Sequence, residues 1–536
     1  MTTTTHRMRS RFTHATPLAL ALVSGLATGA HAIQDEARDG ETSTSLTIYS
    51  TAVPGAIPAS MYRPVPQSLQ TYANMSMYNP YQGYYAMPQG LPGYAVVRQD
   101  RTLNIAESRS LITFSDVAAL LDPTTVTFTS LTHPAETKVV EQSYQFDLVS
   151  PQKMLERYTG KPVVLDGKEV TLLSANAGSG VLVKDAEGSV RWQSGYGSIT
   201  FPGMAEGLIL QPTLLWDLHT TKPGEHKTRV SYQTEGITWW ADYNIIYRET
   251  GAMNQGELDV NAWVSILNQS GADYEHASLK LVAGDVHRAP QGGRGAGNEL
   301  MMRREMAADA APAGFEEKSF FEYHLYTLGR PTTIPQASTK QIELFDAPRN
   351  VPCEKVLVYY GIDQNWHPYW SSPATDRDLG VPSNTKVDVY LSFKNSNENG
   401  MGMPLPSGRV RVSKADPADG SMEFIGEDVI DHTAKNETVL LKLGNSFDVV
   451  GERTSKDFKI DISDEWMEET IEIKLRNHKA DAVKVIIRES MYRWKQWEII
   501  ESSLPAEKQD STTIHIPITL KADQEATVTY KVRYTW

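Results

Sequence analysis

The stretch Leu258-Asp-Val-Asn-Ala-Trp-Val-Ser-Ile266 decides the fold class, because apolar residues occupy every second position. In an extended strand the side chains of residues i and i+2 lie on one face, so such a run buries one side and exposes the other. The same alternation recurs over residues 387–393, 471–475, 483–487, 514–520 and 528–534. This pattern predicts a mainly β protein with several antiparallel β-sandwich or small-barrel domains.

Helical periodicity is scarce, so we expect few helices, all of them short. The clearest helix start is Ser150-Pro151, with serine as the N-cap and proline at the first helical position. Apolar residues Met154 and Leu155 follow, and we expect this helix to end at about Tyr158.

Composition limits the class of protein. The chain has 536 residues, too many for one compact core, which predicts two to four domains. Its net charge of -14 argues against non-specific nucleic-acid binding, which needs a basic face. The single cysteine, Cys353, excludes an intramolecular disulfide and a four-thiolate metal site.

Residues 1–32 contain the three parts of a secretory signal peptide. The basic part has three arginines, Arg7, Arg9 and Arg11. A short apolar run over 18–23 follows, and Ala30-His-Ala32 matches the small-x-small cleavage pattern. We therefore expect cleavage after Ala32 and a periplasmic or secreted protein. A large exported chain without disulfides fits a bacterial cell envelope, and no later apolar run is long enough to predict a transmembrane helix.

Shifts in composition divide the mature chain. The predicted parts are an N-terminal β region 33–149 with a disordered Pro/Tyr/Met-rich insertion 53–93, a small barrel-like region 150–229, a sandwich 230–345 with a flexible loop 288–318, and a C-terminal sandwich 380–536. The insertion is interpreted either as a plain surface loop or as a recognition segment.

Motifs for catalysis are absent from the sequence. It contains no phosphate-binding loop, no dinucleotide fingerprint, no H-E-x-x-H and no G-x-S-x-G. His219 and His226 flank a turn, which gives two interpretations: a pair that shares a metal, for which the sequence offers no third ligand, or exposed strand histidines. We therefore predict no catalytic residue, no metal site and no cofactor.

Tryptophan clusters are the most specific feature. They are Trp239-Trp240, Trp366-His-Pro-Tyr369-Trp370 and Trp494-x-x-Trp497. Flat aromatic rings suit stacking on sugars or on an extended peptide, whereas the alternative is that they fill the cores. Trp239 and Trp240 point to opposite faces of a strand, so at most one of them lies in a core. The proline-containing cluster is loop-like, which makes Trp366, Tyr369 and Trp370 the candidate binding residues.

Five longer segments can be compared with known families. They are Tyr232-Gln-Thr-Glu-Gly-Ile-Thr-Trp-Trp-Ala-Asp-Tyr243, Phe321-Glu-Tyr-His-Leu-Tyr-Thr-Leu-Gly-Arg-Pro331, Pro404-Leu-Pro-Ser-Gly-Arg-Val-Arg411, Asp448-Val-Val-Gly-Glu-Arg453 and Tyr530-Lys-Val-Arg-Tyr-Thr-Trp536. Through them the chain resembles the bacterial domain-of-unknown-function 4139 family over roughly residues 230–536. That family has no established activity, so the resemblance implies no catalytic residue.

These observations predict an exported cell-envelope protein with a structural or protein-interaction role and without catalysis. One alternative is a glycan- or peptide-binding module that uses exposed aromatic loops. Another is a hydrolase without a recognisable motif. The expected partner is an unidentified envelope protein or a glycan, and not a nucleic acid.

Overall fold

The computed structural model describes residues 43–50, 52, 55, 57, 59–62, 91–176, 180–195, 197–284, 315–320, 323–362, 372–380 and 384–536. In this part the chain is mainly β, with several antiparallel and mixed sheets, which confirms the predicted fold class. The predicted signal peptide, most of the insertion and most of the loop 288–318 lie outside the described residues.

The strands of the first half are, in chain order, β1 (Ser43–Tyr49), β2 (Tyr94–Ile105), β3 (Arg109–Ser115), β4 (Leu121–Ser130), β5 (Thr137–Gln145), β6 (Pro162–Leu165), β7 (Lys168–Asn176), β8 (Gly180–Lys184), β9 (Val190–Gln193), β10 (Ile199–Thr200), β11 (Thr213–Thr220), β12 (Gly224–Thr234), β13 (Ile237–Glu249), β14 (Gln255–Asn268) and β15 (Tyr274–Ala283). Those of the second half are β16 (Phe315–Phe320), β17 (Tyr323–Leu328), β18 (Thr332–Ile334), β19 (Ser338–Glu343), β20 (Val351–Tyr360), β21 (Lys386–Lys394), β22 (Gly408–Ala415), β23 (Met422–Ile430), β24 (Thr438–Asp461), β25 (Trp466–Asn477), β26 (Val483–Ser490), β27 (Trp497–Ser502), β28 (Glu507–Lys508), β29 (Thr513–Leu520) and β30 (Glu525–Thr535).

The helices are short, as expected. In the part of the chain that the structure describes they are α1 (Ala59–Tyr62), α2 (Pro151–Arg157) and a 3-10 turn (Asn397–Asn399). The helix predicted from Ser150-Pro151 is α2: the Ser150 side chain accepts a hydrogen bond from the Lys153 amide, and Met154 and Leu155 are buried. Among the described residues, no helix is long and apolar enough to cross a bilayer.

Within the described ranges the strands form four sheets. One has eight strands in the order β16-β17-β15-β1-β2-β12-β4, with β18 on β15; one has three, β3-β11-β5; one has five, β10-β6-β7-β8-β9. The largest has 14 strands, with β23-β22-β13-β14-β20-β21-β24-β25-β30-β27 as its main path. Most neighbours are antiparallel, but β1 with β15, β13 with β22 and β20 with β26 are parallel.

Buried apolar residues in the described part of the chain form three cores. The first contains residues of the eight-stranded and three-stranded sheets together with Trp239, Val410 and Leu441 of the largest sheet. The second lies in the C-terminal part, around Ile473 and Tyr530, and the third belongs to the five-stranded sheet. The region boundaries given above remain a prediction.

Cys353 lies on β20 and is 4% exposed. Burial raises the pKa of its thiol to about 12. Because the thiolate is the reactive form, we expect negligible reaction with a disulfide reagent at pH 8 in the native protein and full reaction after unfolding in denaturant. Thiol titration with and without urea measures this. Rapid labelling of the native protein at its unfolded rate would contradict the burial of this thiol.

Candidate functional site

A groove of about 350 Å³ lies on the face of the largest sheet that is turned away from the first core. Strands β13, β14, β19 and β22 form its floor, and Gly55, Ile57 and Tyr62 at the start of the insertion line one side. It combines an aromatic ring, a carboxylate, two guanidinium groups and an amide, which are Trp240, Asp242, Arg409, Arg411 and Gln341.

The alternation of β13 places the floor residues. Trp239, Ala241 and Tyr243 are buried in the first core. Trp240 and Asp242 therefore point to the opposite face, where both are half-buried. At most one of the two adjacent tryptophans was predicted to lie in a core, and the structure places only Trp239 there.

Neighbouring strands complete the floor. β22 runs parallel to β13 with Arg409 opposite Asp242 and Arg411 opposite Asn244. On the other side, antiparallel β14 sets Ser265 opposite Trp240. Residues distant in sequence are thus collected on one surface by strand pairing.

Asp242 is held by hydrogen bonds within the groove. Its Oδ2 accepts a bond from Trp240 Nε1 at 2.7 Å and one from Ser265 Oγ at 3.1 Å. Gln341 Nε2 donates to Ser265 Oγ at 3.0 Å. These bonds fix the plane of the Trp240 indole, so the ring presents a preorganised surface to a ligand.

The start of the insertion packs against this floor. The Tyr62 ring lies 5.6 Å from the Trp240 ring, measured between centroids, with 54° between the planes. Gln269 Nε2, just after the end of β14, donates to the Met61 carbonyl oxygen at 3.3 Å and so ties α1 to this end of the strand. Gly55 has φ +77°, a left-handed conformation that favours glycine, and a Cβ there would lie 2.5 Å from a guanidinium nitrogen of Arg409, which would have to move.

The candidate binding residues Trp366, Tyr369 and Trp370 lie outside the described residues, so their role stays a prediction. Trp494 and Trp497 are half-buried and pack against the second core.

The polar residues of the groove were not predicted from the sequence. The available signal was the row of polar side chains alternating with core residues on β13, but it does not show which strands are neighbours.

The two histidines considered as metal ligands lie on different sheets. His219 lies on β11 of the three-stranded sheet and His226 on β12 of the eight-stranded sheet. His226 is fully buried: Nδ1 lies 3.0 Å from Ser130 Oγ and Nε2 lies 2.7 Å from the Lys222 carbonyl oxygen. The idea of an exposed strand histidine is therefore wrong for His226. No group of three or more metal-ligating side chains occurs among the described residues.

A second polar cluster is buried in the C-terminal part. Arg493 bonds Glu469 twice, at 3.1 Å each, and Arg453 Nε bonds Glu489 at 2.9 Å. Tyr530 donates to Glu489, and burial raises the pKa of this phenol well above its usual value. All five residues are at most 3% exposed, so this cluster presents no surface to a ligand.

The arginines of this cluster anchor a loop. Arg493 donates to the carbonyl oxygens of Ala374, Asp376 and Leu379 at 3.2, 2.6 and 3.1 Å. Arg453 donates to the Gly380 carbonyl oxygen at 3.0 Å. We call residues 372–380 the anchored loop, since its backbone acceptors are satisfied from inside the sandwich.

No family model matches this chain, and the comparison with curated proteins found no match. The resemblance to the domain-of-unknown-function 4139 family accordingly stays a prediction.

Proposed function

We propose that this chain is an exported bacterial envelope protein that binds a glycan in the groove on its largest sheet, without catalysis. The observation that carries the proposal is the Trp240 indole, which lies on the open sheet face and is locked by its 2.7 Å hydrogen bond to Asp242. A fixed aromatic ring surrounded by polar side chains offers both stacking and hydroxyl recognition.

The polar residues supply the second half of such recognition. Gln341, Asn244 and Thr339 line the same groove and have amide and hydroxyl groups that donate and accept hydrogen bonds. Each hydroxyl of a sugar both donates and accepts hydrogen bonds, so these three side chains suit the edge of a sugar ring. An extended peptide is the second candidate, because the groove is open and runs across neighbouring strands.

The number and the hydrogen bonding of carboxylates in the groove support a role without catalysis. Asp242 is the single carboxylate among the described groove residues, and it already accepts three hydrogen bonds, from Trp240, Ser265 and Arg411. Glycoside hydrolysis usually needs two carboxyl groups that flank the bond to be broken. The contact between Ser407 and His432 lies outside the groove, with Ser407 half-buried and His432 exposed. The Ser407 amide donates to His432 Nδ1 at 3.1 Å, and Ser407 Oγ is 3.5 Å from Nε2, at the outer limit of a hydrogen bond.

The Trp240→Ala variant tests this function. We expect it to lower glycan affinity by about tenfold or more, since aromatic anchors dominate binding energy. The measurement is a glycan array followed by calorimetry with the purified protein. Trp192→Ala is the matched control, because Trp192 is exposed on β9 of a different sheet, and we expect it to bind as the unaltered protein does.

Undiminished glycan binding by Trp240→Ala, or no glycan bound by the unaltered protein, would contradict the proposed function.

Export is tested separately, on cells that produce the full-length chain. Fractionation should recover the protein outside the cytoplasm, and amino-terminal sequencing should begin at Ile33.

A further inference from the structure

The groove has an excess of positive charge in an acidic protein. Its lining contains two cations, Arg409 and Arg411, and one carboxylate, Asp242, whereas the net charge of the whole chain is -14. A cationic patch within an acidic surface concentrates anions at that place. The charge pattern therefore favours a negatively charged ligand.

The two arginines differ in how far their charge is balanced. Arg411 lies 3.5 Å from Asp242 and 3.6 Å from Glu427. Arg409 is half-buried and makes no ion pair with any residue that the structure describes. A cation that has lost part of its hydration without an anionic partner gains most from a ligand anion, so Arg409 is the stronger anion site.

Arg409 is also well placed relative to the aromatic ring. It lies opposite Asp242 on the adjacent strand, and Trp240 precedes Asp242 by two residues. Strand spacing of about 4.8 Å and a two-residue rise of about 6.7 Å put the Cα atoms of Trp240 and Arg409 about 8 Å apart. A sugar ring on Trp240 therefore brings a group on its rim to Arg409.

We propose that the groove selects a saccharide carrying a carboxylate, such as a uronic acid, with the carboxylate on Arg409 and the sugar ring on Trp240. This inference rests on the proposed glycan-binding function and names its ligand class. The planar guanidinium presents paired donors that match the two oxygens of a carboxylate. Asp242 Oδ2 accepts hydrogen bonds from Trp240 and Ser265. The carboxylate of Asp242 therefore orients the indole ring and leaves Arg409 for the ligand carboxylate.

Calorimetry with two oligosaccharides of equal length, oligogalacturonate and a neutral glucan, tests the selection. For the unaltered protein we expect the acidic oligosaccharide to bind at least tenfold more tightly at low salt, and less so as salt increases. In Arg409→Gln we expect this ratio to fall to about one. In Arg409→Lys part of the affinity ratio should remain, because lysine keeps the positive charge but lacks the paired donors of the guanidinium.

Arg191→Gln is the matched control, since Arg191 is exposed on β9 of the five-stranded sheet, and it should keep the full ratio. Thermal unfolding verifies that each variant is folded. Equal affinity for both oligosaccharides, or an unchanged ratio in Arg409→Gln, would overturn the carboxylate selection and leave glycan binding intact. Tighter binding of a sugar phosphate or of polyglutamate would also overturn it. Absence of binding to any saccharide would instead overturn the proposed function.

Discussion

Arg493→Met is expected to destabilise the C-terminal sandwich by about 3–5 kcal/mol, because it leaves the buried Glu469 carboxylate without its main cationic partner. The Arg493 side chain is 0% exposed and that of Glu469 is 1% exposed. The same change removes the donors to the anchored loop. Urea unfolding measures the first effect, and limited proteolysis with mass spectrometry should show new cleavage within residues 372–380.

Two further variants separate these effects. In Arg493→Met with Glu469→Met, both charges are gone, so we expect part of the stability to return while the anchored loop stays sensitive to protease. Arg229→Met is the matched control, because Arg229 pairs with Asp100 at the surface and its side chain is 39% exposed. We expect this variant to lose much less unfolding free energy than Arg493→Met. An effect of Arg493→Met no larger than that of Arg229→Met would contradict the anchoring role.

Trp216→Ala is expected to cost about 3–5 kcal/mol, the usual penalty for deleting a large buried aromatic side chain. Trp216 is fully buried on β11. Its ring lies 5.1 Å from that of Phe114 on β3 and 5.2 Å from that of Phe128 on β4, and its Nε1 donates to Gln142 at 2.8 Å. It thus joins the three-stranded sheet to the eight-stranded sheet, and calorimetric unfolding of the first core measures the loss.

Trp192→Ala is the comparison for this substitution. Trp192 is 54% exposed on β9, so the same chemical change should alter stability by less than about 1 kcal/mol. Similar unfolding temperatures for the two variants would show that the packing around Trp216 contributes little.

Alternating apolar residues were sufficient to predict a mainly β protein. On β13, for example, Trp239, Ala241 and Tyr243 face the core as the period of two requires. The same pattern carries no information on which strands become neighbours. The parallel pairing of β13 with β22 joins residues about 170 positions apart, and nothing in either strand alone specifies that partner.

The candidate site shows the same limit. The sequence predicts that at least one of Trp239 and Trp240 faces away from the core but not which one, and Arg409 and Gln341 belong to the groove only through pairing across β22 and β19. The buried ion pair in the C-terminal part could not be predicted from the sequence either. Arg493 and Glu469 look like ordinary surface residues in the sequence, since such side chains are seldom fully buried unless they are paired.

The strand pair β20 and β21 runs through two cores. Cys353 and Phe393, which are opposite each other, pack in the first core, and Tyr359 and Val387, further along the same pair, pack in the second. No flexible linker therefore separates the two sandwiches at this point, and a hinge motion between them would have to break backbone hydrogen bonds of the shared ladder. The shared pair therefore ties the first and second cores together through continuous backbone hydrogen bonds.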